Sequence, residues 1–170
     1  MLRFLFPRLT SAPGRGTALF AAVTRRAREP HWYLAGEVPD TLEGRFRMLA
    51  TVAALATVRL EQAGDGGEAA SVALAERFIE AMEAEHREMG LGDPALGRAV
   101  RRLVGALARR VELWRDAASG TAGWNEAAQE SVYTGAVAPS ALAHTAEALR
   151  GLWSELRAAD IAALEEGQIA

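Results

Sequence analysis

Residues 86–103 read HREMGLGDPALGRAVRRL. Two glycines stand two apart between a charged run and a second run that opens on Asp93 and Pro94. After a strand, such a G-x-G would open a dinucleotide-binding fold; between helices it is a corner. The flanks decide. Upstream, Ala75, Phe78, Ile79, Met82, His86 and Met89 fall on one helical stripe, with Glu80, Glu83 and Arg87 around the rest. Downstream, Asp93 as N-cap and Pro94 at the first helical position start another helix. Its stripe is Leu96, Val100, Leu103, Val104, Leu107, Val111 and Trp114, and it runs to about Ala118. Gly90 is placed to close the upstream helix in the left-handed conformation. Leu91 then folds back towards Met82 and His86, and Gly92 frees the turn. The corner needs neither phosphate nor metal.

The same periodicity covers most of the chain. A first helix spans roughly 17–29 and is ended by Pro30, and a short HWYLAG piece follows. A second starts at VPDTLEGRF, with Asp40 as N-cap and Glu43 as its capping-box partner, and runs to about Gln62. Around its middle it is apolar on nearly every side, so it is the buried central helix or lines a groove. GDGG at 64–67 reads as a loop, and the third helix covers about 70–89. After the fourth, a fifth covers about 124–133 and a sixth runs from Ser140 to about Arg157. The tail DIAALEEGQIA adds a turn or two. No segment alternates with period two. The expected fold is all-α: a single-domain bundle of about six helices over residues 16–170, preceded by a basic segment, 1–15.

Composition agrees. There are 37 alanines, the best helix former. The absence of cysteine excludes disulfides, thiolate nucleophiles and cysteine-ligated zinc or iron–sulfur centres. All 19 basic residues are arginine, permanently charged and able to pair bidentately with carboxylate or phosphate. Residues 1–60 carry nine arginines against four acids, while residues 61–170 carry ten against eighteen. The first 28 residues hold six arginines and no acid. Such an end suits an anionic surface, whether ribosomal RNA or the cytoplasmic face of a membrane; a solvated basic terminus explains the same count. The opening MLRFLFPRLT is no secretory signal, because Pro7 and Arg8 interrupt a short apolar run. The longest uncharged apolar run, Met48–Val58, has 11 residues, too few to span a bilayer. A soluble, cytoplasmic protein is expected, at most peripheral to a membrane.

Few constellations carry chemistry. Glu83 and His86 form one E-x-x-H pair, but a di-iron bundle needs two such pairs and two further glutamates. His86 also lies on an apolar stripe, where a hydrogen-bonded core histidine is the simpler account. There is no G-x-S-x-G elbow, and GDGG lacks the lysine and strand of a P-loop. No catalytic residue, metal or cofactor is expected. The best-formed polar feature is the arginine face of the fourth helix, Arg98, Arg101, Arg102 and Arg109. It is either solvated surface or a docking face for acidic protein, RNA or anionic lipid. Scarce aromatics argue against base stacking, and no sequence-specific nucleic acid binding is expected. Trp32, Tyr33, Arg45 and Phe46, near the start of the second helix, either join the core or line a hydrophobic groove for an apolar client.

Two ordered stretches carry a resemblance. AREPHWYLAGEVPDTLEGRF (Ala27–Phe46) is similar to a pattern of AR-x-P-x-x-Y followed by V-P-D-T-x-x-G-R-F. HREMGLGDPALGRAVRRL is similar to L-R-E-M-G-V-G-D followed by basic residues. Together they resemble the ubiquinol–cytochrome c chaperone family, assembly factors of the cytochrome bc complex, over roughly 16–120. Matching motif positions are Arg28, Tyr33, Pro39, Asp40, Gly44, Arg45 and Phe46, then Arg87, Glu88, Met89, Gly90, Gly92 and Asp93. The resemblance implies a non-enzymatic, all-helical factor that holds newly made cytochrome b. It also implies a small partner subunit, the ribosome and peripheral inner-membrane association, mitochondrial in a eukaryote. The length points to a bacterial member. Leu107–Arg110 reads LARR where the family has F-Y-G-R, so two aromatics are missing. Without the resemblance, a helical lipid or small-molecule binder with a hydrophobic groove is the alternative.

Overall fold

An alanine-rich chain with few β-branched and aromatic residues loses little side-chain entropy in a helix. The computed structural model describes residues 14–88, 90 and 93–169, excepting the side chains of 93, 94 and 96, and every regular element among them is helical. Six longer helices are α1 (Thr17–Ala27), α3 (Leu42–Glu61), α4 (Asp65–Glu88), α5 (Asp93–Ser119), α6 (Trp124–Val132) and α7 (Pro139–Ala158). Two single-turn segments, α2 (Pro30–Leu34) and α8 (Ile161–Glu165), account for the HWYLAG piece and the tail.

Helix α3 is the axis. From Ala50 to Val58 every residue is buried, so no side faces water. Helices α1, α4, α5, α6 and α7 all pack on it. Its alanines at 50, 53, 54 and 56 let these neighbours approach, because small contact residues shorten interaxial distance. Its two buried threonines differ: Thr51 Oγ1 lies 2.6 Å from Ser131 Oγ, which accepts from Trp114 Nε1 at 3.2 Å, whereas Thr57 Oγ1 has no hydrogen-bond partner among the described residues. Of the anticipated stripe, helix α5 buries Val100, Leu103, Leu107, Val111 and Trp114 and half-buries Val104.

Two local expectations are corrected. The N-cap of α3 is Thr41, not Asp40: Thr41 Oγ1 accepts from the Gly44 amide at 3.1 Å. The Pro39 carbonyl presses on Gly44 where a Cβ would stand, which seats the first turn one residue later. Asp40 instead accepts from Arg45 Nε at 2.6 Å, and Glu43 from Arg47 Nε at 2.8 Å, so no capping box forms. The second correction concerns GDGG. Only Gly64 turns, at φ +61°; Asp65, Gly66 and Gly67 already belong to α4. Gly67 packs against the Leu60 carbonyl, so tertiary contact with α3 overrides glycine's poor propensity. Asp65 and Glu68 in the first turn suit the positive end of the helix dipole.

At the corner that opened the sequence, Gly90 has φ +83°, and its amide donates to the Arg87 carbonyl at 2.9 Å. Met89, Leu91 and Gly92 lie outside the described residues. Two long-range arginines pin the periphery. Arg59 donates to the Leu156 and Ala159 carbonyls at 3.0 and 2.9 Å, closing the C-terminal end of α7. Arg26 joins Glu29 at 3.1 Å and Glu155 at 2.6 Å, tying α1 to α7.

Gly66 has open space around its Cα whereas Gly67 does not. Gly66→Ala should therefore stabilise by about 0.5 kcal/mol through helix propensity. Gly67→Ala should cost about 1–3 kcal/mol through overpacking. Urea denaturation of the two variants checks the contrast, which fails if both shift the midpoint alike. Gly90→Val should cost about 1–2 kcal/mol from the forced left-handed backbone; an unchanged melting temperature would refute that strain.

Candidate functional site

As α3 leaves the core at its N-terminal end, its first two turns become amphipathic. Two concavities open there, on either side of Phe46. The first is a cleft of about 750 Å³ between α3 and α5. Phe46, Ala99, Leu103 and Ala106 give it an apolar floor. Arg98, Arg101, Arg102 and Arg109 of α5 line one side, and Arg47 and Arg110 join them. The four expected arginines are thus brought into one cleft, all exposed. Among the described residues none of those four makes an ion pair.

Arg110 is the inner wall, and sequence reasoning passed over it. It donates from Nη1 to the Ala106 carbonyl at 3.2 Å and from Nη2 to the Ser131 carbonyl at 2.9 Å. Its guanidinium carbon stands 5.9 Å from the Phe46 ring centroid. Burial, with the nearby charge of Arg47, pushes its pKa down to about 10. A base depressed in the folded state opposes folding while charged, and that opposition is relieved only as pH rises through about 10. His86 also lines the cleft, its Nδ1 donating to the Met82 carbonyl at 2.7 Å. Glu83 turns to Arg87 at 3.6 Å, so this E-x-x-H pair is spent on helix contacts. Among the described residues no three metal-ligating side chains converge.

Across Phe46 lies an apolar groove of about 220 Å³ between α1, α3 and α4. Phe20, Leu42, Leu49 and Met82 line it, with Arg45 and Glu85 at the edge. Arg28, Tyr33 and Arg45 then pass into a shallower trough of about 500 Å³ beside α2 that ends on Leu34. Tyr33 donates its hydroxyl to the Ala27 carbonyl at 2.9 Å, and burial raises its pKa. The hydrogen bond from Arg45 lowers that of Asp40. Trp32 is not with them. It is 1 % exposed, with Nε1 donating to the Arg26 carbonyl at 2.7 Å, and has no surface for a partner. Leu34 and Leu42, which sequence reasoning did not single out as exposed, are 78 % and 55 % exposed. Pro39 and Gly44 seat the first turn of α3 at the groove, while Arg87, Glu88 and Gly90 lie at the end of α4.

The model of a known family, Ubiquinol-cytochrome C chaperone, matches residues 35–170. The chain belongs to the ubiquinol–cytochrome c chaperone family. The match reaches further towards the C-terminus than the motif resemblance, and starts after Arg28, Trp32 and Tyr33. A crystal structure of the Cbp3 homologue from Brucella abortus superposes at TM-score 0.76 and 23 % identity, covering 100 % of this chain and 96 % of that one. At that identity the likeness establishes the shared helical fold. No curated protein matches the chain. No helix among the described residues is long and apolar enough to cross a membrane.

Arg98 and Arg102 stand four apart on one helix face, where like charges repel. Arg102→Glu should therefore raise stability by about 0.5 kcal/mol at low ionic strength, and the gain should shrink as salt is added. Denaturation at two salt concentrations measures it; a loss of stability would show that the cations are already compensated.

Proposed function

We propose that this chaperone holds newly made cytochrome b while the ubiquinol–cytochrome c reductase complex is assembled. The supporting observation is the adjacency, across Phe46, of an apolar groove and an arginine cleft in a chain of this family. A membrane protein between synthesis and insertion exposes apolar side chains that need cover. At about 220 Å³ the groove accepts a few anchoring side chains rather than a whole helix. Shallow contact suits a factor that must release its client. The working surface is Tyr33, Arg45 and Phe46 for the client, with Arg98, Arg101, Arg102 and Arg109 as the docking face. The role is binding, not catalysis, and the place of action is the cytoplasmic side of the inner membrane. The small partner subunit and the ribosome implied by the motif resemblance are candidates for the same purification.

A deletion strain should lose the b-type haem signal of the complex, and the tagged protein should co-purify cytochrome b from solubilised membranes. Normal assembly in that strain would end the proposal. Leu42→Asp, at the exposed rim of the groove, should keep the melting temperature and reduce cytochrome b capture about tenfold, the worth of one apolar anchor. Stoichiometric lipid in native mass spectra, without captured cytochrome b, would favour the small-molecule alternative.

A further inference from the structure

We infer that the arginine cleft and the trough ending at Leu34 form one docking face for an anionic phospholipid bilayer. This rests on the chaperone reading and names the partner of its docking face. Charge distribution is the first support. Eight arginines and three acids line the cleft, groove and trough, while the chain as a whole carries −3. The rest of the molecule is therefore strongly acidic. A body of that polarity turns its basic face towards a negative surface before contact.

Apolar placement is the second support. Leu34 and Leu42 are the large hydrophobic side chains most exposed among the described residues, and both stand on this face. Leu34, at the end of α2, borders the same trough as Arg28 and Arg45. An aliphatic side chain flanked by guanidinium groups matches the layering of a bilayer, with phosphates above and acyl chains below. The groups are also spread out. Arg98, Arg101, Arg102 and Arg109 are spread along about three turns of α5 instead of converging on one anion. A continuous surface of lipid phosphates meets that spacing better than a single acidic side chain would. RNA fits less well, because Phe46 is the one Phe, Tyr or Trp among the described residues lining the cleft and Arg110 already lies over its ring.

The test floats the purified full chain with phosphatidylcholine vesicles and with vesicles containing one-third phosphatidylglycerol. Binding should require phosphatidylglycerol and be reversed by salt. Arg98→Glu combined with Arg102→Glu should weaken it on the order of tenfold or more. Leu34→Asp should weaken it several-fold, and both variants should keep the wild-type melting temperature. Equal flotation with the two vesicle types, or variants that float like wild type, overturns the inference. Loss of ribosome co-sedimentation in the arginine variant with flotation unchanged overturns it in favour of RNA. Capture of cytochrome b in detergent is scored on the wild-type chain alongside flotation. Capture without phosphatidylglycerol-dependent flotation sinks only the bilayer face, and flotation without capture sinks only the client assignment.

Discussion

The middle of α3 offers nothing to water, and the rest of the molecule is arranged to satisfy that demand. A helix apolar on every side must be enclosed, and five neighbours enclose it. Enclosure fails over more than a turn at its N-terminal end, where Glu43, Arg45 and Arg47 interrupt the apolar pattern. There the neighbours part, and Phe46 is left as a half-buried divider between groove and cleft. The candidate site is thus the place where the central helix comes to the surface. Its floor is made of the same residue types as the core.

Around that opening the protein keeps charge where stability alone would remove it. Arg110 is half-buried against Phe46, its charge opposed by burial and by Arg47. Arg59 and Arg26 show what arginine does here when its task is structural. One closes α7 through two carbonyls, and the other joins two glutamates. Among the described residues Arg98, Arg101, Arg102 and Arg109 of α5 do neither, whereas Arg110 and Arg115 on the same helix between them do both kinds of work. Those four cations stand without an ion pair among the described residues, as the proposed docking face requires.

Much of this was legible in the sequence because α3, α5 and α7 are long enough to display their period. The α5 stripe and the arginine face opposite it follow from spacing alone. Where length runs out, legibility does too. Helix α2 is a single turn, so no period could separate Trp32, which enters the core, from Tyr33, which borders the groove. The Asp40–Thr41 pair offers two competent caps, and the choice lies with a contact between Pro39 and Gly44 that no local propensity records. Gly66 and Gly67 read as loop until Leu60 is known to lie against Gly67. Exposure at Leu34 and Leu42 is invisible for the same reason: it depends on which neighbour fails to cover them.

Tyr133 connects the site to the order in which the chain is made. Its hydroxyl donates to the Gly36 carbonyl at 2.5 Å across 97 residues of sequence and lies 2.7 Å from Thr145 Oγ1. Its own carbonyl accepts from Arg47 at 3.3 Å across 86 residues. The segment that delivers α3 to the groove is thus fastened by residues synthesised long after it. Contacts of such sequence separation form late, because the closure entropy of the long loop must be met first. A ribosome that has produced only the N-terminal half has made every groove-lining residue of α1 and α3 without the fastening that sets their angle. The angle at which α3 meets the groove is therefore held by contacts that the C-terminal half of the chain supplies.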